Sequence, residues 1–114
     1  MRKLLAFLFL ALVAACDPYQ LQPLPLEITV TPERTTAAPG DSIMFTIDAQ
    51  GGVLLGIDLI WGDGQTRTIQ TSGARTANVR QRHAYAQPGV YEMSAAVSDA
   101  EAGSKTAAVS IRIQ

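Results

Sequence analysis

Cys16 is the chain's one thiol, His83 its one imidazole, and Asp63 its one acid set between two glycines, Gly62 and Gly64. A thiol can be alkylated or act as a nucleophile, and an imidazole can act as a base or a metal ligand. An acid in a glycine turn raises the question of a phosphate or calcium loop. A phosphate loop needs a strand-to-helix transition and a Lys, and neither follows Gly64. A calcium loop needs several oxygen ligands at short spacing. Asp63 has only Gln65 and Thr66 nearby, which leaves it a lone candidate ligand. The competing reading is a hairpin turn, because Gly accepts positive φ at no steric cost. For His83, catalysis would need a nucleophile and an orienting acid. No Ser lies in a nucleophile-elbow pattern. A structural ring held by hydrogen bonds is expected, in a protein that is not an enzyme. Arg67, Arg75, Arg80 and Arg82 could form a basic strip. Without interleaved aromatics it does not suggest nucleic acid. It reads as a solvated face that discourages edge pairing, or as a dock for an acidic partner.

The elements that would position these groups begin with a leader. Arg2 and Lys3 precede an apolar run, Leu4 to Ala15. The run is too short to span a bilayer comfortably and has the size of a signal-peptide core. Its ending, Leu12-Val13-Ala14-Ala15-Cys16, resembles the bacterial lipobox. That resemblance implies cleavage after residue 15 and a diacylglyceryl group on Cys16, with the product lipid-anchored in a bacterial cell envelope. Asp17 resembles the inner-membrane retention signal of enterobacterial lipoproteins, which leans toward that membrane where those rules apply. Buried acyl chains contribute about 0.8 kcal/mol per CH₂. No second cysteine exists for a disulfide, so the hydrophobic core must carry stability alone.

Residues 16–26, CDPYQLQPLPL, contain Pro18, Pro23 and Pro25. They disfavour helix and favour an extended tether reaching roughly 30 Å. From residue 27 to 114 the apolar period is two, not 3.6. Ile28 and Val30 alternate with threonines. Ile43, Phe45, Ile47 and Ala49 form a second set. Ile57, Leu59 and Trp61 form a third, interrupted by Ile60. Tyr91, Met93, Ala95 and Val97 precede a last set, Val109, Ile111 and Ile113. Arg67–Gln70 and Ala77–Tyr85 read as weaker, more polar strands. Turn residues separate the runs at Pro39-Gly40, Gly51-Gly52, Gly62–Gly64, Pro88-Gly89 and Asp99–Gly103. About seven short antiparallel strands predict an all-β sandwich. The nine basic residues include Arg2 and Lys3, against ten acids, so the chain beyond residue 15 is net acidic. Nothing there draws it to nucleic acid.

Two motifs, Trp61-Gly62-Asp63-Gly64 and His83-Ala84-Tyr85-Ala86-Gln87-Pro88-Gly89-Val90-Tyr91, resemble those of the PKD family, in order and at the family's spacing. The resemblance covers about residues 27–114. It implies an immunoglobulin-like β-sandwich and leaves function open, since PKD domains are modules beside many activities. Leu59 and Ile60 stand where the longer family form has Trp and Asp. The resemblance makes Trp61, Gly62, Asp63, Gly64, His83, Tyr85, Pro88, Gly89 and Tyr91 structural motif residues. Some PKD-like domains beside secreted enzymes bind calcium, which keeps Asp63 open as a ligand. No other cofactor is implied.

One stretch stands apart: Val53, Leu54 and Leu55 sit between Gly51-Gly52 and Gly56. One leucine could plug the core's end, or the three could form an exposed apolar contact loop. In an immunoglobulin-like sandwich this loop and Asp99–Gly103 would lie at the tether end, with Gly62–Gly64 at the far end. The expected function is a non-catalytic protein-binding or structural module with a protein partner in the envelope. A carbohydrate-binding or adhesion module, or a small accessory subunit of an envelope complex, stands beside it.

Overall fold

Thr, Val, Ile and aromatic residues in period-two runs favour strands with one dry face. The computed structural model describes residues 24–114, and these are all-β. Cys16, Asp17 and most of the tether lie outside the described residues. Six strands form: β1 (Glu27–Pro32), β2 (Thr36–Ala37), β3 (Ser42–Ile60), β4 (Thr66–Ala84), β5 (Gly89–Asp99) and β6 (Gly103–Ile113). The sandwich class is as expected, but the strand count and one pairing differ. Gly51-Gly52 does not end a strand, and Arg67–Gln70 and Ala77–Tyr85 are not separate strands: all but Tyr85 belong to β4, which ends at Ala84. The pairing of β2 with β6 is parallel, not antiparallel.

The reason is a single long hairpin folded double. β3 and β4 pair antiparallel from Ile60↔Thr66 to Ser42↔Ala84, with register shifts between Gln50 and Gly56. A straight strand would separate Phe45 from Trp61 by about 53 Å at 3.3 Å per residue. Their ring centroids are 5.2 Å apart. β3 therefore crosses from one sheet to the other at its bulges, and β4 follows it. The first half of β3 pairs with β1 on its other side, at Phe45–Gln50. The second half pairs with β5, at Leu54–Ile60. β6 then pairs along β5, and β2 closes the far edge of β6.

Between the two layers lie Ile43, Phe45, Ile47, Leu54, Ile57, Leu59, Met93, Val97 and Ile111, all fully buried. Alternation along β3 and β5 supplies nearly all of them, as a half-buried sheet requires. At the bend, a Cβ on Gly51 would fall 2.5 Å from Asp99 Oδ2 and 2.9 Å from Leu54 Cδ2. Any larger residue there would have to push the Asp99 carboxylate and the Leu54 side chain aside. β4 bends at Ser72, φ 51°, and Gly73, φ 80°.

Candidate functional site

The two ends of the sandwich are held by different polar devices, and the candidate residues fall into these two groups. At the end away from residue 24, the hairpin turn follows β3. The Trp61 amide donates to the Gln65 carbonyl at 3.1 Å. The Gln65 amide donates to Asp63 Oδ1 at 3.0 Å, the bond that makes Asp a turn residue. Gly62 has φ 91°, and a Cβ there would meet the Glu92 carbonyl oxygen at 2.6 Å. The turn is thus pressed against β5, and glycine is required twice over.

His83 reaches this turn from the end of β4. Its Nε2 lies 2.7 Å from Asp63 Oδ2. The imidazole stacks on Trp61, centroids 4.3 Å apart and planes within 2°. Its other side meets Tyr85 edge-on at 4.7 Å. Tyr85, fully buried, donates its hydroxyl to the Trp61 carbonyl at 2.7 Å. Tyr85 stacks in turn on Tyr91 at 4.4 Å. Tyr91 donates to the Gln87 carbonyl at 2.8 Å, tying β5 to the turn that holds Pro88 and Gly89. Trp61, Gly62, Asp63, Gly64, His83, Tyr85, Pro88, Gly89 and Tyr91 are therefore brought together at one end.

The electrostatics follow from that packing. Burial pushes the Asp63 carboxyl up. The His83 hydrogen bond, the Gln65 amide and the nearby imidazole charge outweigh it, and its pKa is below the ordinary value. Burial, with the charge of Asp63 nearby, pushes the Tyr85 phenol up to about 12. Both Asp63 oxygens accept hydrogen bonds from protein donors. Among the described residues, no hydroxyl or thiol is hydrogen-bonded to His83, and no group of three or more metal-ligating side chains forms. The pair His83–Asp63 has the geometry of an orienting acid and a ring, with no nucleophile attached.

At the other end the chain enters beside β3: Gln50 Nε2 donates to the Pro25 carbonyl at 3.2 Å. Asp99 closes this end. Its Oδ2 accepts from the amides of Gly52 (2.7 Å) and Val53 (2.8 Å), and its Oδ1 from those of Glu101 (2.8 Å) and Ala102 (3.0 Å). The Glu101 amide first, with the other three, holds its pKa below the ordinary value against the opposing effect of burial. Sequence reasoning marked Asp99 only as the start of a turn. The signal was an acid two residues beyond Val97, on the inward face. Of the apolar loop, Leu54 is fully buried, so it is core and unavailable for contact. Leu55 is 52% exposed, and Val53 is half-buried.

A shallow cleft of ≈ 340 Å³ lies over the β1–β3–β4 sheet, lined by Glu27, Thr29, Asp48, Gln50, Thr76 and Asn78 among others. It has no aromatic floor, which a sugar platform needs. Arg67, Arg80 and Arg82 are exposed on β4.

No family model and no curated protein matches this sequence. Solved structures do match. The PKD domain of an M14-like peptidase from a Thermoplasmatales archaeon is 20% identical with a TM-score of 0.69, covering 81% of this chain and 98% of that one. The PKD domain from the human VPS10 domain-containing receptor SorCS2 is 21% identical with a TM-score of 0.56, covering 83% and 80%. The CARDB domain of a Pyrococcus furiosus protein, in complex with di-metal ions, is 12% identical with a TM-score of 0.56, covering 80% and 93%. The fold of this chain is that of PKD domains.

Proposed function

We propose that this chain is a lipid-anchored envelope protein whose sandwich is a non-catalytic module that holds another protein. One observation carries the non-catalytic part. Asp63 and Asp99 spend both carboxylate oxygens, and His83 its Nε2, in holding the fold together, and among the described residues no nucleophile is hydrogen-bonded to His83. A catalytic group must keep an atom for substrate, and a structural one need not. The anchored part rests on the basic start, short apolar run and small-small-Cys ending of residues 1–16. A proline-rich tether would then set the sandwich off the lipid surface, with the Asp99 end nearer it and the His83 end farther away.

Cys16→Ser tests the anchor. The wild-type protein is expected in the membrane fraction with residues 1–15 removed, and the variant unprocessed or released. Unchanged processing and retention of the variant would reject the anchor. Site-specific crosslinking in cells tests the binding part, with protein adducts on the sandwich as the expected outcome.

A further inference from the structure

β4 pairs with β3 over Thr66–Gln70, at Ala74 and over Thr76–Ala84, and with no other strand among the described residues. Every N–H and C=O of β4 that points away from β3 therefore lies on an open sheet edge. The straight portion Thr76–Ala84 runs without proline and without a register shift against Ser42–Gln50. Such an edge is a template for another strand.

The core beside it is only partly covered. Ala77 and Val79 face inward yet stay half-buried, packed against the fully buried interior. Val79 extends the row Val30–Ile47 by one strand. A further strand would extend that row again and cover Val79, as cross-strand neighbours do.

Charge selects the occupant. β4 carries Arg67, Arg75, Arg80 and Arg82 and no acid. Elsewhere among the described residues only Arg34, Lys105 and Arg112 are basic, against nine acids. Arg80 and Arg82 are exposed on one face, opposite Thr46 and Met44, and among the described residues no carboxylate forms a salt bridge with either. A second copy pairing antiparallel about Gln81 would set Arg80 against Arg82, which is destabilising, and in other registers it would bring the arginines no carboxylate, since β4 has none. An acidic strand would place its carboxylates there instead.

We infer that the Thr76–Ala84 edge of β4 receives an extended, acidic segment of a partner protein as an added strand. Backbone hydrogen bonds would hold the segment, alternate apolar residues would cover Val79, and alternate acids would meet Arg80 and Arg82. This rests on the protein-binding reading above and names the partner's chemistry.

The test uses the full chain in detergent micelles and three eight-residue peptides, alternating Val with Glu, Gln or Lys. The Val-Glu peptide should bind about tenfold tighter than the Val-Gln peptide at low salt, and lose that advantage as salt rises. It should slow hydrogen exchange at alternate amides of Thr76–Ala84. The double variant Arg80→Glu, Arg82→Glu should keep the melting temperature and prefer the Val-Lys peptide. Equal binding of all three peptides, or protection away from β4, would overturn the inference. In cells, a photo-crosslinker at Asn78 should give a protein adduct that the charge-reversed variant loses. An adduct at Ser110 alone, on the other sheet, overturns the edge assignment and leaves the protein-binding reading standing. Adducts at neither position overturn both. A self-adduct or a polysaccharide adduct at Asn78 overturns the acidic-segment assignment.

Discussion

His83, at the end of β4, and Asp63, in the turn before its start, meet Nε2 to Oδ2 at 2.7 Å because the hairpin that carries them is folded double. The contact closes the sandwich at the end where Trp61 turns the chain. Removing either partner leaves the other short of a hydrogen bond in a site that is mostly dry on the His83 side. Asp63→Asn should cost about 1 kcal/mol, since the turn itself faces solvent, and His83→Ala about 2–5 kcal/mol, since it also empties the ring's place between Trp61 and Tyr85. A double-mutant cycle read by denaturant unfolding should show coupling between them. Strict additivity would mean the bond contributes nothing beyond its parts.

Acid should find the same structure's weak point. Asp63 and Asp99 both have folded-state pKa values below 3.8. Below that value the unfolded chain holds more protons than the folded one, so unfolding is favoured as pH falls. Their stabilisation is fully present above pH 3.8 and is lost as pH drops through the folded-state values. Thermal melts from pH 5 to pH 2 should show a falling midpoint. Asp99→Asn, which keeps two of the carboxylate's acceptor sites at best, should start lower and fall less steeply.

The alkaline side has the opposite sign. Tyr85 is raised from 10.0 to about 12, so the folded state holds its proton longer than the unfolded one. That contribution is complete below pH 10 and is lost as pH rises from 10 through about 12. Tyr85→Phe keeps the ring stacked on Tyr91 and loses the bond to the Trp61 carbonyl. It should cost about 1 kcal/mol at pH 7 and remove this residue's share of the alkaline decline. Melting midpoints measured from pH 8 to pH 12 separate the two effects.

Alternation in β1, β3, β5 and β6 was enough to read an all-β sandwich, because each strand has one dry face and period two records it. The aromatic end was legible through its spacing, Trp61 to Gly64 and then His83 to Tyr91. The fold-back of β3 was not. Gly51-Gly52 reads as a strand end, and only the closeness of Asp99 and Leu54 to Gly51 shows why glycine is needed inside a continuous strand. The stretch between Arg67–Gln70 and Ala77–Tyr85 misleads in the same way: it reads as a gap between two polar strands, and Ser72 and Gly73 within it make a bend in one. Asp99 stayed hidden because two of its four donors, Gly52 and Val53, lie 47 and 46 residues away along the chain.

The apolar loop makes a prediction that divides neighbouring leucines. Leu54 is fully buried and Leu55 is 52% exposed. Leu54→Ala should destabilise by about 2–5 kcal/mol through the cavity it leaves. Leu55→Ala should change stability by less than about 0.5 kcal/mol. Urea unfolding of both variants checks this, and equal losses would place Leu55 in the core as well.

Calcium provides a last contrast, between a turn and a site. Asp63 Oδ1 accepts from the Gln65 amide and Oδ2 faces the His83 ring, so a cation would have to displace protein donors to use either oxygen in full. Calcium prefers six to eight oxygens, and this turn offers one carboxylate already engaged. A ligand that binds only the folded state raises the melting midpoint by mass action, by an amount that grows with its concentration. The expected result is no shift between a chelator and millimolar calcium. A rise that grows with calcium and vanishes in Asp63→Asn would make the turn a metal site and require His83 to move aside on binding.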